Sequence, residues 1–254
     1  MSAVRGPVVG TAGWSIARKE AGAFPAEGPA LARYARVFRG VEVNSSFYRP
    51  HRPATWARWA DSVPDGFRFA VKVPRAITHE AKLVDAEAPA VQFASEVGAM
   101  GGKLAIMLVQ LPPKLAFEPA TVERFFTMLR GLTDADIVCE PRNATWFTPE
   151  ADQLLTRLGI ARAAADPALA AAAAVPGGWP GLAYWRLHGS PVMYRSSYHA
   201  SAIADYARRL RVAAADTQQA WCIFDNTAGS AAIGNALALM AEINALSNSG
   251  AGNQ

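Results

Sequence analysis

Several short apolar segments of this chain end in side chains that can grip an anion or move a proton. Glu42 and Asn44 alternate with Val41 and Val43, and Lys72 stands between Val71 and Val73. Gln110 ends the run from Leu104, Glu140 and Arg142 close the run from Asp136, and Arg186 and His188 close the run from Leu182. Asp166 and Asn226 end two more segments. Alternate residues of a strand share a face. Glu42 then goes with Asn44, Ala70 with Lys72, Leu108 with Gln110, Glu140 with Arg142, and Arg186 with His188. The expected outcome is a polar ring of Glu42, Asn44, Lys72, Gln110, Glu140, Arg142, Asp166, Arg186, His188 and Asn226. Its chemistry would be acid/base, with Glu42 or Glu140 as general base and His188 or His79 as proton partner. Lys72, Arg142 and Arg186 would hold the anionic part of a substrate. Lys72 as a Schiff-base amine is the weaker alternative, because nearby carboxylates would keep it charged. The competing structural account is a closed network in which Glu42 and Glu140 do no more than pair with Lys72 and Arg142.

Two further features join this set. Asn226-Thr227-Ala228-Gly229-Ser230-Ala231-Ala232 leads small residues into a helix, where free backbone N–H groups suit a phosphate or carboxylate; an ordinary capped helix is the alternative. Aromatic residues crowd the same loops: Trp14, Phe47, Tyr48, Trp146, Tyr194 and Tyr198. They could stack on a sugar or a base, or simply pack. The substrate-binding candidates are therefore Asn44, Tyr48, His79, Gln110, Arg142, Trp146, Asp166, Arg186, Tyr194, Asn226, Thr227 and Gly229, and the catalytic candidates Glu42, Lys72, Glu140 and His188. Four histidines, His51, His79, His188 and His199, are too few for a His-rich metal centre. The sequence requires no cofactor and leaves room for one carboxylate-bound Mg²⁺ or Mn²⁺.

The elements that must position these residues alternate. Strand-like runs at Val8–Gly13, Val41–Phe47, Phe67–Val73, Leu104–Leu111, Asp136–Arg142, Ile160–Asp166, Leu182–His188 and Trp221–Asp225 are separated by segments of helical spacing. Eight such units in 254 residues predict an α/β fold, a TIM-type (β/α) barrel of parallel strands inside a layer of helices. A doubly wound open sheet competes, but its Gly-x-Gly-x-x-Gly turn is missing after the first strand. One domain is expected over 8–246, with a flexible N-terminus over 1–7 and a disordered tail over 247–254. The alanine-rich tract 161–174 fits a crossover helix poorly, since Pro167 and Pro176 cut it short. Strand ends at the C-terminal face of such a barrel carry its active site.

Composition sets bounds on partners. With 51% hydrophobic and 18% charged residues the chain is expected to be globular. No apolar run is long enough for a bilayer, and the first residues lack a signal-peptide pattern. Cys139 and Cys222 each sit in an apolar run and read as core thiols of a reducing, cytoplasmic compartment. A net charge of +4 fits an anionic ligand or nucleic acid, and equally fits scattered surface arginines.

At Gly10-Thr11-Ala12-Gly13-Trp14, Val41 to Arg49, and Phe69 to Pro74 with Ile77-Thr78-His79, the chain resembles the domain-of-unknown-function 72, or YecE-like, family. The resemblance continues at Gln110-Leu111-Pro112-Pro113, Glu140 with Arg142 and Trp146, Arg186-Leu187-His188-Gly189, Tyr194 with Tyr198, and Phe224-Asp225-Asn226-Thr227 through Gly229, Ala231, Asn235 and Ala236. It spans about residues 8 to 243. It implies a TIM-type barrel, by analogy akin to endonuclease-IV-like and xylose-isomerase-like barrels, and carries no established activity. Asp225 stands where the pattern has a second asparagine, and the loop from Ser15 to Phe24 departs from the family's aromatic and glycine placement.

Three functions follow as expectations. The first is an enzyme acting on a small anionic or sugar-like molecule, phosphorylated or not, at the barrel mouth. The second is a nucleic-acid-binding or DNA-processing protein, whose phosphate contacts would make binding steeply salt-dependent. The third is a ligand-binding barrel without turnover.

Overall fold

The computed structural model describes residues 6–251. Strands β1 (Val8–Thr11), β2 (Gly40–Val43), β3 (Arg68–Lys72), β4 (Leu104–Gln110), β5 (Asp136–Glu140), β6 (Ile160–Arg162), β7 (Ala164–Asp166), β8 (Gly177–Gly178), β9 (Leu182–Leu187) and β10 (Gln219–Phe224) alternate with helices. The helices are α1 (Ala30–Tyr34), α2 (Pro53–Asp61), α3 (Glu87–Val97), α4 (Pro119–Arg130), α5 (Pro149–Arg157), α6 (Ala200–Asp216) and α7 (Ala232–Ala251). Local signals start two of them. Glu118 and Thr148 accept hydrogen bonds from first-turn N–H groups of α4 and α5, and Pro119 and Pro149 preset the first helical residue.

Two sheets make the barrel. One has the order β1-β10-β9-β7, the other β2-β3-β4-β5-β6-β8, and all pairs are parallel except β6 with β8. The sheets meet along two lines. At the first, Ala12 bridges Glu42 in parallel, and the Gly13 N–H donates to the Glu42 carbonyl at 2.8 Å. Gly10 and Gly40 permit this approach, since a β-carbon on Gly10 would lie 2.3 Å from the Gly40 carbonyl oxygen. At the second, the sixth stave is shared: β6 pairs with β5, and β7, one residue further on, pairs with β9. The result is an eight-stave TIM-type barrel. Its sixth crossover has a short 3₁₀ turn (Ala171–Ala174) and β8 in place of an α-helix, as Pro167 and Pro176 dictate.

Strand parity sorts the apolar side chains into two clusters. Val41, Val43, Phe69, Val71, Met107, Val109, Ile137, Cys139, Trp185 and Leu187 face the helices. Val8, Ala70, Ile106, Leu108, Val138, Ala161, Tyr184, Trp221 and Ile223 fill the barrel. Above this apolar filling, towards the C-terminal strand ends, the inward positions turn polar.

The chain end differs from expectation. Helix α7 continues to Ala251, so 247–251 are helical; Ser247 Oγ donates to the Ile243 carbonyl at 2.9 Å and Arg211 donates to the Leu246 carbonyl at 2.8 Å. Of the expected flexible N-terminus, residues 1–5 lie outside the described residues, as do 252–254; the Pro7 carbonyl accepts from Arg39. No helix among the described residues is long and apolar enough to cross a membrane.

Candidate functional site

The inward positions at the strand ends converge on Arg186, which is fully buried. Its Nε and Nη2 donate to Glu42 Oε2 and Oε1 at 2.9 and 2.6 Å, Nη1 to Glu140 Oε2 at 2.6 Å, and Nη2 also to Asp225 Oδ2 at 3.0 Å. Tyr184 Oη donates to Glu42 Oε2 at 2.9 Å. His188 continues the network, with Nδ1 3.0 Å from Asp225 Oδ2 and Nε2 3.0 Å from Glu140 Oε1. Arg142 Nη2 lies 2.6 Å from Glu140 Oε1 and 2.8 Å from His188 Nε2. If Nδ1 carries the proton and donates to Asp225, Nε2 is free to accept from Arg142.

Electrostatics fix the protonation of this core. Burial disfavours an ionised Glu140, yet Arg186 and then Arg142 hold its carboxyl well below the usual carboxylate range. Burial likewise opposes charge on Asp225, and Arg186 with His188 outweighs it and lowers its pKa. Burial and the Glu42 carboxylate push the Tyr184 phenol well up. Glu42 and Glu140 are fully buried with both oxygens engaged. The general-base role expected for either therefore has no geometric support. The Glu140 carboxylate, held below its usual range by two guanidinium groups, has little basicity to offer.

The outer edge of the network is different. Lys72, 7% exposed, has its Nζ 4.1 Å from the centroid of the Phe47 ring, and among the described residues that amine makes no hydrogen bond or ion pair, although the Lys72 carbonyl accepts from Ser46 Oγ at 2.7 Å. Burial, then Arg186, lowers its pKa to about 8 against the pull of Glu42, Glu140 and Asp225. His79 packs edge-on against the same Phe47 ring at 4.9 Å, with Nδ1 2.9 Å from Thr78 Oγ1; burial and then Lys72 lower its pKa. Asn44 Nδ2 reaches Asp225 Oδ1 at 3.5 Å, while its Oδ1 is buried without a partner. Arg142 Nε is also buried without a partner. Gln110 lies half-buried beside Glu140 in register, and Tyr194, 41% exposed, stands edge-on over His188 at 5.6 Å.

The structure thus brings Glu42, Asn44, Lys72, His79, Gln110, Glu140, Arg142, Arg186, His188 and Tyr194 to one place. It does not bring the rest. Asp166 shares the outward parity of Ala164 and accepts from Tyr198 Oη at 2.6 Å, because two residues on from an outward position is outward again. Asn226 is outward by the same count from Phe224; its Nδ2 donates to Asn235 Oδ1 and the Ser196 carbonyl at 2.8 and 2.9 Å. Trp146 is fully buried in the outer core with Nε1 donating to the Leu115 carbonyl, so it packs instead of stacking on a ligand. Tyr48 is 73% exposed, beside Phe47.

The small-residue turn before α7 is also spoken for. The N–H groups of Ala228 and Gly229 donate to the Tyr194 carbonyl, that of Ser230 to Thr227, and that of Ala231 to Asn226. Gly229 is a glycine because a β-carbon would lie 2.6 Å from the Arg195 carbonyl oxygen. Thr227 and Ser230 instead line a separate cleft of about 290 Å³ with Thr11, Gly13, Ser15 and Ile233. Two residues of the network escaped sequence reasoning, Asp225 and Tyr184. Both lay within its reach: Tyr184 shares parity with Arg186, and Asp225 with Ile223. No group of three or more His, Cys, Asp or Glu among the described residues is arranged to hold a metal ion.

Comparison with known proteins places the chain in a family. The YecE proteins of Escherichia coli K12 and O157:H7, described as UPF0759 proteins, are 29% identical to it over 129 residues. That match covers 50% of this chain and 47% of theirs, so the chain spans about half the length of the curated relatives it matches. A crystal structure of a DUF72 family protein from Enterococcus faecalis V583 superposes with a TM-score of 0.78 at 20% identity, covering 93% of this chain and 95% of the other. One from Thermotoga maritima MSB8 does so with a TM-score of 0.77 at 20% identity, covering 94% and 99%. These likenesses show the fold. The sequence profile described as protein of unknown function DUF72 matches residues 8–252, and the chain belongs to that family.

Proposed function

We propose that the protein binds a small anionic, hydroxylated molecule, sugar-like or phosphorylated, at the C-terminal mouth of the barrel, and that it acts on it by acid/base chemistry. One observation carries this reading: the buried network is paired at its centre, whereas around it Arg142 Nε and Asn44 Oδ1 are buried without partners and Lys72 Nζ has only the Phe47 ring. Two cationic donors and one acceptor suit an anion carrying a hydroxyl group, and buried polar groups without partners are costly unless something completes them. In this reading Lys72 and Arg142 hold the anion, Asn44 accepts from the hydroxyl, and Tyr194 covers the bound molecule. Lys72 and His79, whose pKa values are drawn towards or below neutrality, are better placed to exchange protons than Glu42 or Glu140. The buried carboxylates hold Arg186 and Arg142, Glu140 directly and Asp225 by way of His188.

Calorimetry with phosphate, glycolate and small sugar phosphates tests the proposal. Binding of at least one of them, weakened roughly tenfold or more by Lys72→Met, is expected from loss of one charge-assisted contact. No binding by any of them, or binding indifferent to Lys72→Met, would sink it. Steeply salt-dependent binding of DNA or RNA in their place would favour the nucleic-acid alternative.

A further inference from the structure

Lys72 has a property that holding an anion does not use. Carboxylates surround it at longer range, yet each has its oxygens on other donors: Glu42 on Arg186 and Tyr184, Glu140 on Arg186 and Arg142, Asp225 on Arg186, Asn44 and His188. The amine itself is left against the Phe47 ring, beside His79, at the rim of the network. The reason to expect a permanently charged lysine, a carboxylate in contact, is thus absent among the described residues.

We propose that Lys72 is a carbonyl-reactive amine that forms an imine with a small aldehyde or ketone bearing a carboxylate or phosphate. The proposal rests on the anion-binding reading of the same mouth, and adds that the bound anion carries a carbonyl. In the step, the unprotonated Nζ adds its lone pair to the carbonyl carbon, and the C=O π pair moves to oxygen. Both Nζ hydrogens leave with that oxygen as water, and the C=N bond forms; no oxidant or reductant is consumed. Arg142, with its Nε unpartnered, is the group to hold the acid end, and His79, a neutral imidazole against the same Phe47 ring as the amine, serves the proton transfers. With its pKa near 8, Lys72 has on the order of a hundredfold more free amine near pH 7 than an ordinary lysine.

The chain supplies its own controls. It has five lysines; Lys19, Lys82 and Lys114 are exposed, and Lys103 donates to the Ala60 and Val63 carbonyls at 2.7 Å. The native, unsubstituted protein is treated with glyoxylate and sodium cyanoborohydride, and the reduced adduct is located by peptide mass mapping. Glycolate, which has no carbonyl, is titrated separately by calorimetry. The expected result is an adduct on Lys72 at least about tenfold above that on any other lysine, suppressed by excess glycolate and absent from Lys72→Arg. Glycolate binding with an adduct spread evenly over the lysines overturns the imine and leaves the anion reading standing. Absence of both overturns both. Because the mapping is made on the unsubstituted protein, the result does not depend on how a variant folds.

Discussion

Arg186 grips Glu42 in a two-bond fork, Nε to Oε2 at 2.9 Å and Nη2 to Oε1 at 2.6 Å, with neither side chain exposed. Such a fork is geometrically specific. Taking away the guanidinium leaves Glu42 buried with only the Tyr184 hydroxyl for a partner and strips Glu140 of one of its two arginines. Arg186→Met should therefore cost about 3–5 kcal/mol in urea denaturation. A loss under about 1 kcal/mol would mean that the network contributes little.

Lys72 behaves in the opposite sense. Its ammonium loses its proton near pH 8 in the folded protein and near 10.5 when unfolded. Between those values the unfolded chain binds more protons, so stability rises with pH across that window, and the full cost of the buried charge is present below it. Lys72→Met should be more stable than the parent near pH 7, by up to about 3 kcal/mol, and should lack the alkaline rise. The charged groups around the amine are Arg186, Glu42, Glu140 and Asp225, and the neighbouring titratable group is His79, whose pKa is lowered and which is neutral across that window, so the comparison with the variant isolates Lys72. Identical pH profiles for the two would contradict the placement of the amine.

Acid acts through Glu140 and Asp225. Both have folded pKa values below their ordinary ones, with burial opposing and Arg186 prevailing. Their contribution is complete above the ordinary carboxylate range and is lost as pH falls through the depressed folded values. Melting temperature should hold from neutrality down to about pH 5 and drop steeply below about pH 4. Glu140→Gln, less stable at the start, should show a shallower drop over the same range.

Gly10 tests the closure of the barrel. An alanine β-carbon there would lie 2.3 Å from the Gly40 carbonyl oxygen, on backbone that cannot rotate away. Gly10→Ala should destabilise by about 3 kcal/mol or fail to fold, as overpacked cores do. Gly66, with nothing within 4 Å of such a carbon, is the control site for the same substitution.

Tyr198→Phe separates packing from ligand binding. It removes the 2.6 Å bond to Asp166, and the acceptor of the Gly189 N–H, at a cost of about 1.5–3 kcal/mol. Anion affinity measured by calorimetry should stay within about twofold, because Asp166 faces away from the mouth. A large loss of affinity would return Asp166 to the site.

The barrel and most of the polar cluster were legible in the sequence, because both follow from the period of two along each strand. The misplacements came where strand ends were used in place of that count. Asn226 and Asp166 each sit one step out of phase with the inward positions, and Asp225, in phase, was passed over. Trp146 shows another limit: a tryptophan in a mouth loop can fold back under it, and only the Leu115 carbonyl that receives its N–H reveals which. Sequence gave no means of telling that Glu42 and Glu140 would spend their oxygens on arginines while Lys72 would be left with none, since that depends on which side chains reach across the barrel.

That reach has a mechanical consequence. Glu42 and Glu140 belong to the six-stranded sheet, whereas Arg186 and, just past β10, Asp225 belong to the four-stranded one. Backbone pairing between the two half-shells is thin, a single bridge on one side and a divided stave on the other. The guanidinium works as a rivet through the middle of the molecule, so loosening it should let both joints breathe together and hasten amide exchange at Gly13 and Ala163 before it does so at Val109 or Cys222.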